Sequence, residues 1–516
     1  MKIYFHQTLL SYPAHEAAVQ EVSAALGQAA VHIFPAFFLW GLNPGELARD
    51  HDAQQSYHAL AKRLIDLAKQ APASGPDDAP ALIIAPGVRP NGGVEFLCLT
   101  RGQGGRWVDH TTALSELLAQ VLGNTVACAY GDEPFTREAA IYLRWPTTPP
   151  SLLRPKLSAA SFNGAYFSLV PVGWSYAQCW MGGSEGHCQK PVQLPFLQPA
   201  EIVLETHAAS PAPFPASWQK QDEFLRWDSS TPPQLLPLTD EEMTLIEDTI
   251  IFALRSYAEK NQRPSFLLGL SGGLDSAYVL AILAQAIKAQ HLEALYMPSS
   301  YSAALSCQIA EEIAQKLGVK LWHVPIKFPH KVLAQHFGQI FGNWHGLPDE
   351  NLQARLRMLS LYARANQTGA HVLNTSNKSE IAMGFSTLYG DSVGAYSILG
   401  DLFKTQIIQL ANHYNQRFGK IIPPAVITRP PSAELKENQK DEDRLPPYAQ
   451  LDAILEGLLS AQKSPQDLKQ AGFNPNTVDQ VVAQWKRSAF KRWGSMPILN
   501  LTSSLQGIGR GRPLEG

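Results

Sequence analysis

Residues 267–287 read LLGLSGGLDSAYVLAILAQAI. The apolar run ahead of Ser271 suits a buried strand, and the Ala-, Leu- and Ile-rich run after Ser276 suits a helix packed against a sheet. Between them stands the turn Gly272–Gly273, with hydroxyls on both sides. A helix start offers unpaired N–H groups and positive partial charge, and glycines let the backbone come close to an anion. A phosphate is the expected guest. Ser271 and Ser276 add hydroxyl groups, while Asp275 can carry a metal ion. The stretch has no lysine where a GxxxxGK[ST] loop needs one, and Gly269, Gly272 and Gly273 do not fit GxGxxG spacing. The plain structural alternative is an ordinary strand-to-helix turn, in which glycine and serine are common.

Composition narrows the classes. The chain has 516 residues, enough for two or three domains, and is 45% hydrophobic and 17% charged, as globular proteins are. A formal net charge of −3 argues against broad nucleic-acid or membrane-surface binding, which depends on clustered basic residues. The five cysteines, Cys98, Cys128, Cys179, Cys188 and Cys307, form no CxxC pair. Neither a disulfide framework nor a zinc ribbon is indicated, and a reducing cytoplasm fits best. No apolar run reaches the roughly 18 residues of a membrane span, and the N-terminus MKIYFHQTLLSYP has no sustained apolar core. No secretion and no membrane partner are expected.

Working outward from the loop, residues 208–238 are rich in proline and polar residues and read as a linker. After it, LTDEEMTLIEDTIIFALRSYAEK starts with Thr239 or Asp240 as N-cap and acids in the first turn. A domain over 239–516 follows. Its apolar strands SFLLGL, EALYMP, KLWHVPI and HVLNTS alternate with helical patterns, which points to βαβ units and a mostly parallel sheet. Ligands bind beyond the carboxyl ends of such strands, and both Ser271 and Thr375 follow one. Residues 1–207 form a separate α/β or α+β layered domain, with strands in HIFPAFFLWGL, PALIIAPGV, VEFLCLT, NTVACAYG and AYFSLVPVGW and helices near 14–29 and 55–71.

The pattern SGGxDS at 271–276 is similar to the signature of ATP pyrophosphatases, which split ATP into AMP and pyrophosphate. Three more blocks follow: DENLQARLRMLSLYARAN at 349–366, NTSNKSEIAMGFSTLYGDSVGAYSILGDLFKTQ at 374–406 and RPPSAELKENQKDEDRLPPYAQLDAIL at 429–455. With WKRSAFKRWGSMP near the C-terminus, the set closely resembles NAD synthetases over residues 240–500. The resemblance implies an α/β fold, a Rossmann-like parallel-sheet ATP pyrophosphatase domain preceded by a nitrilase-like αββα sandwich. It also implies a ligase that amidates deamido-NAD through an adenylated intermediate, with ATP as co-substrate and Mg²⁺ as cofactor.

On that resemblance ATP is held by Gly269, Leu270, Ser271, Gly272, Gly273, Leu274, Asp275, Ser276, Thr375, Lys404 and Ser432. Asp275 and Glu380 match the magnesium-binding carboxylates, which suits an ion that takes one or two protein carboxylates beside phosphates and water. Asp275, Glu380 and Lys404 are the catalytic set, the lysine offsetting charge on departing pyrophosphate. Asn351, Arg355, Glu380 and Lys491 match contacts to deamido-NAD, some of which cross between subunits and imply a homodimer. Asp441, Glu442 and Asp443 are secondary candidates. Read singly, Arg355 fits a solvated helix arginine and residues 436–444 an exposed loop. Ser376, Ile398 and Ala395 depart from the family's usual glycine, proline and glycine; none removes a charged group.

Residues 1–205 bear a fainter resemblance to the nitrilase-like domain that supplies ammonia from glutamine, through a glutamate base, a lysine and a cysteine nucleophile. Here the motif FPE is Phe34-Pro35-Ala36, the lysine segment WVDHTTAL offers His110, and AYGDEPF puts Tyr130 or Gly131 at the cysteine position. With Ala36, His110 and Gly131 in the triad places, free ammonia is the expected nitrogen donor. A glutamine-hydrolysing enzyme with a non-standard nucleophile is the alternative, with the displaced Cys128 as candidate, although burial is the commoner fate of such a cysteine. An RNA-modifying ATP pyrophosphatase would want basic patches or paired cysteines. A non-catalytic pseudoenzyme or scaffold is opposed by Asp275, Glu380 and Lys404.

Overall fold

Two compact units divide the chain at Asp222–Glu223, with Leu152–Arg154 grouped with the second. In the computed structural model the described residues are 2–7, 15–27, 30–34, 51–72, 81–88, 94–108, 110–122, 126–130, 141–145 and short strands between 165 and 205, then 234–501 apart from 263, 438, 460–462, 494–495 and 500. Ala36 and Gly131, and most of the segment read as a linker, lie outside them.

The first unit runs β1 (Lys2–Gln7), α1 (His15–Leu26), β2 (Val31–Ile33), α2 (His51–Gln70), β3 (Leu82–Val88), β4 (Val94–Thr100), β5 (Gly104–Val108), α3 (Thr111–Leu122), β6 (Val126–Tyr130) and β7 (Ile141–Trp145). Shorter strands follow, β8 (Ala165–Ser168), β9 (Val172–Ser175), β10 (Gln178–Met181), β11 (Glu185–His187), β12 (Pro191–Gln193) and β13 (Ala200–Glu205). One sheet has the order β13-β1-β2-β3-β4-β5 and another β12-β11-β8-β7-β6. Apolar residues of α1 and α2 pack on the first sheet, and α3 packs on β6. Cys128 and Leu143 of the second sheet join the same buried cluster as Ile83, Phe96 and Leu97 of the first. This is a layered α/β unit with helices outside two sheets. Helix α3 begins in WVDHTTAL, which periodicity alone left unassigned.

The second unit opens with α4 (Asp240–Lys260), capped by Thr239, whose Oγ1 accepts the Glu242 N–H at 3.2 Å while Glu242 Oε2 accepts the Thr239 N–H at 2.8 Å. Then come β14 (Phe266–Gly269), α5 (Leu274–Ala286), β15 (Leu292–Tyr296), α6 (Ala304–Leu317), β16 (Lys320–His323), α7 (Lys327–Phe341), α8 (Leu347–Thr368), β17 (His371–Asn374), α9 (Lys378–Met383), β18 (Tyr396–Ser397) and α10 (Lys404–Phe418). Helices α11 (Pro424–Thr428), α12 (Tyr448–Leu459), α13 (Pro465–Gln470), α14 (Pro475–Arg487) and α15 (Ala489–Trp493) complete it.

Its sheet has the order β16-β15-β14-β17-β18, every pair parallel. Central β14 is covered on both faces, so Phe266, Leu267 and Leu268 are wholly buried and the strand reads as an unbroken apolar run. Helix α5 packs against α4 and α10, and its residues Ala277–Leu283 are all buried, which explains why its sequence is apolar all round. The order matters for function. The chain moves outward from β14 to β15 and β16, then crosses back to β17, so the direction of winding reverses between β14 and β17. Ligands bind at such a switch point, outside the carboxyl ends of the strands.

Candidate active site

The loop after β14 is held by its own serines. Ser271 Oγ accepts the Gly273 N–H at 3.2 Å and lies 3.1 Å from Ser276 Oγ, which also accepts the Ser271 N–H at 3.2 Å. Gly272 has φ +80°, and a Cβ there would stand 2.2 Å from the Ser306 carbonyl oxygen at the start of α6. Only glycine meets both the left-handed backbone and that approach. Gly273 is the N-cap of α5 and brings no side-chain acceptor, so the first N–H groups of the helix remain available to an anion.

Behind the loop, Asp275 meets residues delivered by the two strands and helices beyond the switch point. Its Oδ1 accepts from Asn377 Nδ2 at 3.1 Å, and its Oδ2 accepts from the Lys404 ammonium. Asn377 is itself the N-cap of α9: its Oδ1 accepts the Glu380 N–H at 2.9 Å, and Glu380 Oε2 accepts the Asn377 N–H at 3.2 Å. The motif N-x-x-E is therefore a capping box that delivers Glu380 beside Asp275. Lys378, between them in sequence, turns away into a buried pair with Asp401 at 3.0 Å and takes no part in the site.

These groups face a cavity of about 580 Å³ lined by Gly269, Leu270, Ser271, Gly273, Leu274, Asp275 and Ser276, and from the far side by Thr375, Glu380, Lys404 and Ser432. All the expected ATP-binding positions except Gly272, whose role is backbone shape, thus reach one hollow. Burial, then the neighbouring Asp275 and Asp441 carboxylates, pushes the Glu380 carboxyl well above the usual range. Burial alone would lower Lys404, but Asp275, Glu380 and Asp441 outweigh it and raise the ammonium, which stays charged. The Asp441 carboxyl is raised by burial, against the hydrogen bond that Tyr448 Oη donates to it at 2.9 Å. Three carboxyl groups, Asp275, Glu380 and Asp441, around one lysine form a set of hard oxygen donors. That composition suits Mg²⁺, which favours oxygen ligands and retains water and phosphate in its shell.

The secondary acids separate. Asp441 is buried and lines the cavity, Glu442 is exposed at its edge, and Asp443 is exposed and accepts the Lys440 N–H at 3.1 Å. The segment 436–444 is therefore not simply a solvated loop.

Asn351, Arg355 and Lys491 are outside the cavity wall and converge on the segment after α9. Lys491 Nζ donates to the Gly384 and Ser386 carbonyls at 2.7 and 2.6 Å, Asn351 Oδ1 accepts from Thr387 Oγ1 at 2.8 Å, and exposed Arg355 donates to the Leu388 carbonyl at 3.3 Å. Sequence reasoning passed over Asn377, although an asparagine three residues before a glutamate is a readable cap. It also passed over Arg357 and Glu434. Arg357 lines the cavity, donates to the Met297 carbonyl at 3.1 Å and is lowered to about 10 by burial. Glu434, at φ +50°, accepts from the Ala303 N–H at 3.1 Å, from Ser306 Oγ at 2.7 Å and from Arg429. A non-glycine held in that conformation at a cavity edge is stored strain of the kind found at ligand sites. No local pattern marks either residue.

In the first unit, exposed His110 accepts the Ala113 N–H at 3.1 Å and so caps α3. Cys128 is buried in the shared core, its N–H donated to Ser115 Oγ at 2.9 Å, close to buried Cys98. Burial pushes the Cys98 thiol up to about 12. Among the described residues no helix is long and apolar enough to cross a membrane.

Residues 246–495 match the family model described as NAD synthase. The glutamine-dependent NAD(+) synthetase of Xanthomonas campestris is 40% identical over 294 residues, 56% of this chain and 53% of that protein. The protein of the same name from Acinetobacter baylyi is 41% identical over 249 residues, 48% of this chain and 46% of its own. The chain thus spans about half the length of the curated relatives it matches. Two solved structures cover nearly the whole chain. The glutamine-dependent NAD+ synthetase of Acinetobacter baumannii, in complex with adenosine diphosphate, has a TM-score of 0.63 at 22% identity over 99% of this chain and 97% of that one. The glutamine-dependent NAD(+) synthetase of Cytophaga hutchinsonii has a TM-score of 0.65 at 14% identity, over 100% and 98%. At those identities the likeness establishes the fold: a Rossmann-like parallel-sheet unit preceded by a nitrilase-like one.

Proposed function

We propose, from the match of residues 246–495 to the NAD synthase family model, that the protein is an NAD synthetase, a ligase converting deamido-NAD to NAD with consumption of ATP. The observation that carries this reading is the meeting of the Ser271–Ser276 loop with Asp275, Glu380 and Lys404 on one cavity at the switch point of the sheet.

A carboxylate is a poor electrophile. Deamido-NAD's pyridine carboxylate attacks the α-phosphorus of ATP, forming an acyl adenylate and expelling pyrophosphate; ammonia then attacks the acyl carbon and expels AMP. The loop N–H groups and Ser271 hold the phosphates, with Thr375 and Ser432 as further hydroxyl partners. Lys404 lies where it offsets charge on the leaving pyrophosphate, a preorganised electrostatic effect. Asp275 and Glu380 would hold Mg²⁺, which neutralises phosphate charge when bound. Asn351, Arg355 and Lys491, by fixing segment 384–388, shape the side on which deamido-NAD enters. Exposed apolar residues of α7 and α8, among them Phe328, Phe341, Leu347 and Leu359, support a homodimer through this unit. A cytoplasmic setting agrees with Cys98, Cys128 and Cys307, the described cysteines, forming no disulfide.

For the nitrogen donor, the names of the curated relatives favour glutamine over the free ammonia that the sequence suggested. Ammonia remains the second reading, favoured by Ala36 in place of the glutamate base and by Cys128 lying in the core rather than at a substrate-facing surface. The purified chain, given deamido-NAD and Mg-ATP with either glutamine or ammonium, separates them. NAD and AMP formed equally well with glutamine support the glutaminase reading; turnover with ammonium alone supports the other; no AMP with either donor overturns NAD synthetase activity.

A further inference from the structure

Where α6 meets the neighbouring strand β16, three different metal-binding side chains come together. Cys307 and Glu311 are four residues apart on α6 and so share a face, and His323, the last residue of the neighbouring strand β16, reaches the same point. Cys307 Sγ lies 3.5 Å and His323 Nε2 lies 3.4 Å from the same oxygen, Glu311 Oε1, and all three donor atoms fall within 4.8 Å of one another.

We propose that Cys307, Glu311 and His323 form a binding site for a thiophilic divalent cation of the zinc type. Metal–ligand bonds of about 2.0–2.3 Å in a tetrahedron put neighbouring donors roughly 3.3–3.8 Å apart, and the two distances to Glu311 fall in that range. The donor chemistry is selective. A thiolate and an imidazole suit Zn²⁺ and disfavour Mg²⁺ and Ca²⁺, which want oxygen alone. Three protein ligands leave a fourth position for water, and the half-exposed side chains of Glu311 and His323 leave it an entry path.

The surroundings orient the ligands. The Tyr296 ring meets the His323 ring edge-on at a centroid distance of 5.7 Å, and its hydroxyl lies near the Cys307 thiol. Partners of that kind fix ligand geometry in metal sites. Burial, then Glu311, holds the Cys307 thiol above its ordinary value, so the cation displaces the thiol proton to solvent as the sulfur–metal bond forms. Without a metal the same residues make a surface His–Glu contact and a thiol-to-carboxylate hydrogen bond, which contribute little.

The site also borders the nucleotide cavity. Tyr296 lines that cavity, and Ser306, next to Cys307, provides the carbonyl against which Gly272 packs.

The test uses the full chain, freed of metal, titrated with Zn²⁺ against a chromogenic chelator and separately with Co²⁺. The expected result is one Zn²⁺ per chain and a near-ultraviolet sulfur-to-cobalt band. Cys307→Ser should remove the band, and Cys307→Ser and His323→Ala should each weaken zinc at least about tenfold, while Cys98→Ser changes neither. Metal-free thermal melting of each variant separates lost ligation from lost folding, and Glu311→Gln serves as the further ligand variant should one of these not fold. Wild-type protein that takes up no zinc, or variants with unchanged zinc affinity and cobalt spectrum, would overturn the proposal.

Discussion

Asn377 Nδ2 lies 3.1 Å from Asp275 Oδ1, so the side chain that caps α9 also fixes the carboxylate at the start of a helix 102 residues earlier. One amide serves both ends: its oxygen receives the Glu380 N–H while its nitrogen donates to Asp275. The two carboxylates of the site are thereby held together through a neutral group rather than left to repel freely.

Asn377→Ala should lower stability by about 1 kcal/mol through loss of the cap and should also depress ATP-dependent pyrophosphate release. Asn377→Asp keeps the cap but sets a further carboxylate against Asp275 and Glu380. It is expected to lose more activity than stability. Thermal melting and pyrophosphate assays on both variants distinguish these effects, and equal activity in all three proteins would show that Asn377 does not position Asp275.

Gly272→Ala combines a left-handed φ with a 2.2 Å approach to the Ser306 carbonyl, so we expect a loss of at least about 1–2 kcal/mol and of nucleotide affinity. At Gly273 φ is −90° and the nearest contact to an added Cβ is the Ser271 hydroxyl at 3.2 Å. Gly273→Ala should be milder in both respects. The contrast is read by chemical denaturation and by titration with an ATP analogue.

Lys404→Met removes the cation around which Asp275, Glu380 and Asp441 gather. Turnover is expected to fall by about 10²–10³, the scale of losing one preorganised electrostatic partner. The variant should also lose stability as pH rises, because the three acids then ionise without a counter-charge. A kcat within a few-fold of wild type would remove Lys404 from the catalytic set.

Asp452 is fully buried, accepting from Ser379 Oγ at 2.6 Å and the Thr405 N–H at 2.9 Å, and burial raises its carboxyl from 3.8 to about 6. A raised acid binds its proton more tightly folded than unfolded. Its contribution to stability is therefore complete below 3.8 and falls as pH climbs through about 6. The destabilisation caused by Asp452→Asn should accordingly be largest near pH 4, shrink towards pH 6 and level off above. Denaturant midpoints measured across that interval give the sign directly.

Cys128→Ala should cost about 1 kcal/mol, as for a small buried side chain, and leave nitrogen-donor use unaltered. A variant that lost glutamine but kept ammonium would instead make Cys128 the nucleophile, and would require the core around it to open.

Strands β14 to β17, the Thr239 cap and the phosphate loop were legible because their causes are local: apolar runs of strand length, a hydroxyl before a run of acids, glycines at a strand-to-helix junction. The roles of Thr375, Lys404 and Ser432 rested instead on a resemblance between ordered blocks, and the cavity they line agrees with it without testing each role. In the first unit, α3 and the small strands after residue 175 were missed, since short segments carry too few periods to separate helix, strand and turn.

The sequence by itself determined the parallel sheet, the glycine turn and the hydroxyls around it, because backbone geometry and burial dictate residue type over a few neighbouring positions. Only the tertiary structure decided that Asn377 holds Asp275, that Lys378 turns away while Lys404 turns in, that Asp441 is buried beside exposed Asp443, and that Cys307 meets His323. The pairings of Asp275 with Asn377 and Lys404 join residues far apart in the chain through the reversal of the sheet at β14 and β17. No spacing along a sequence encodes which distant side chains a fold will bring within hydrogen-bonding reach.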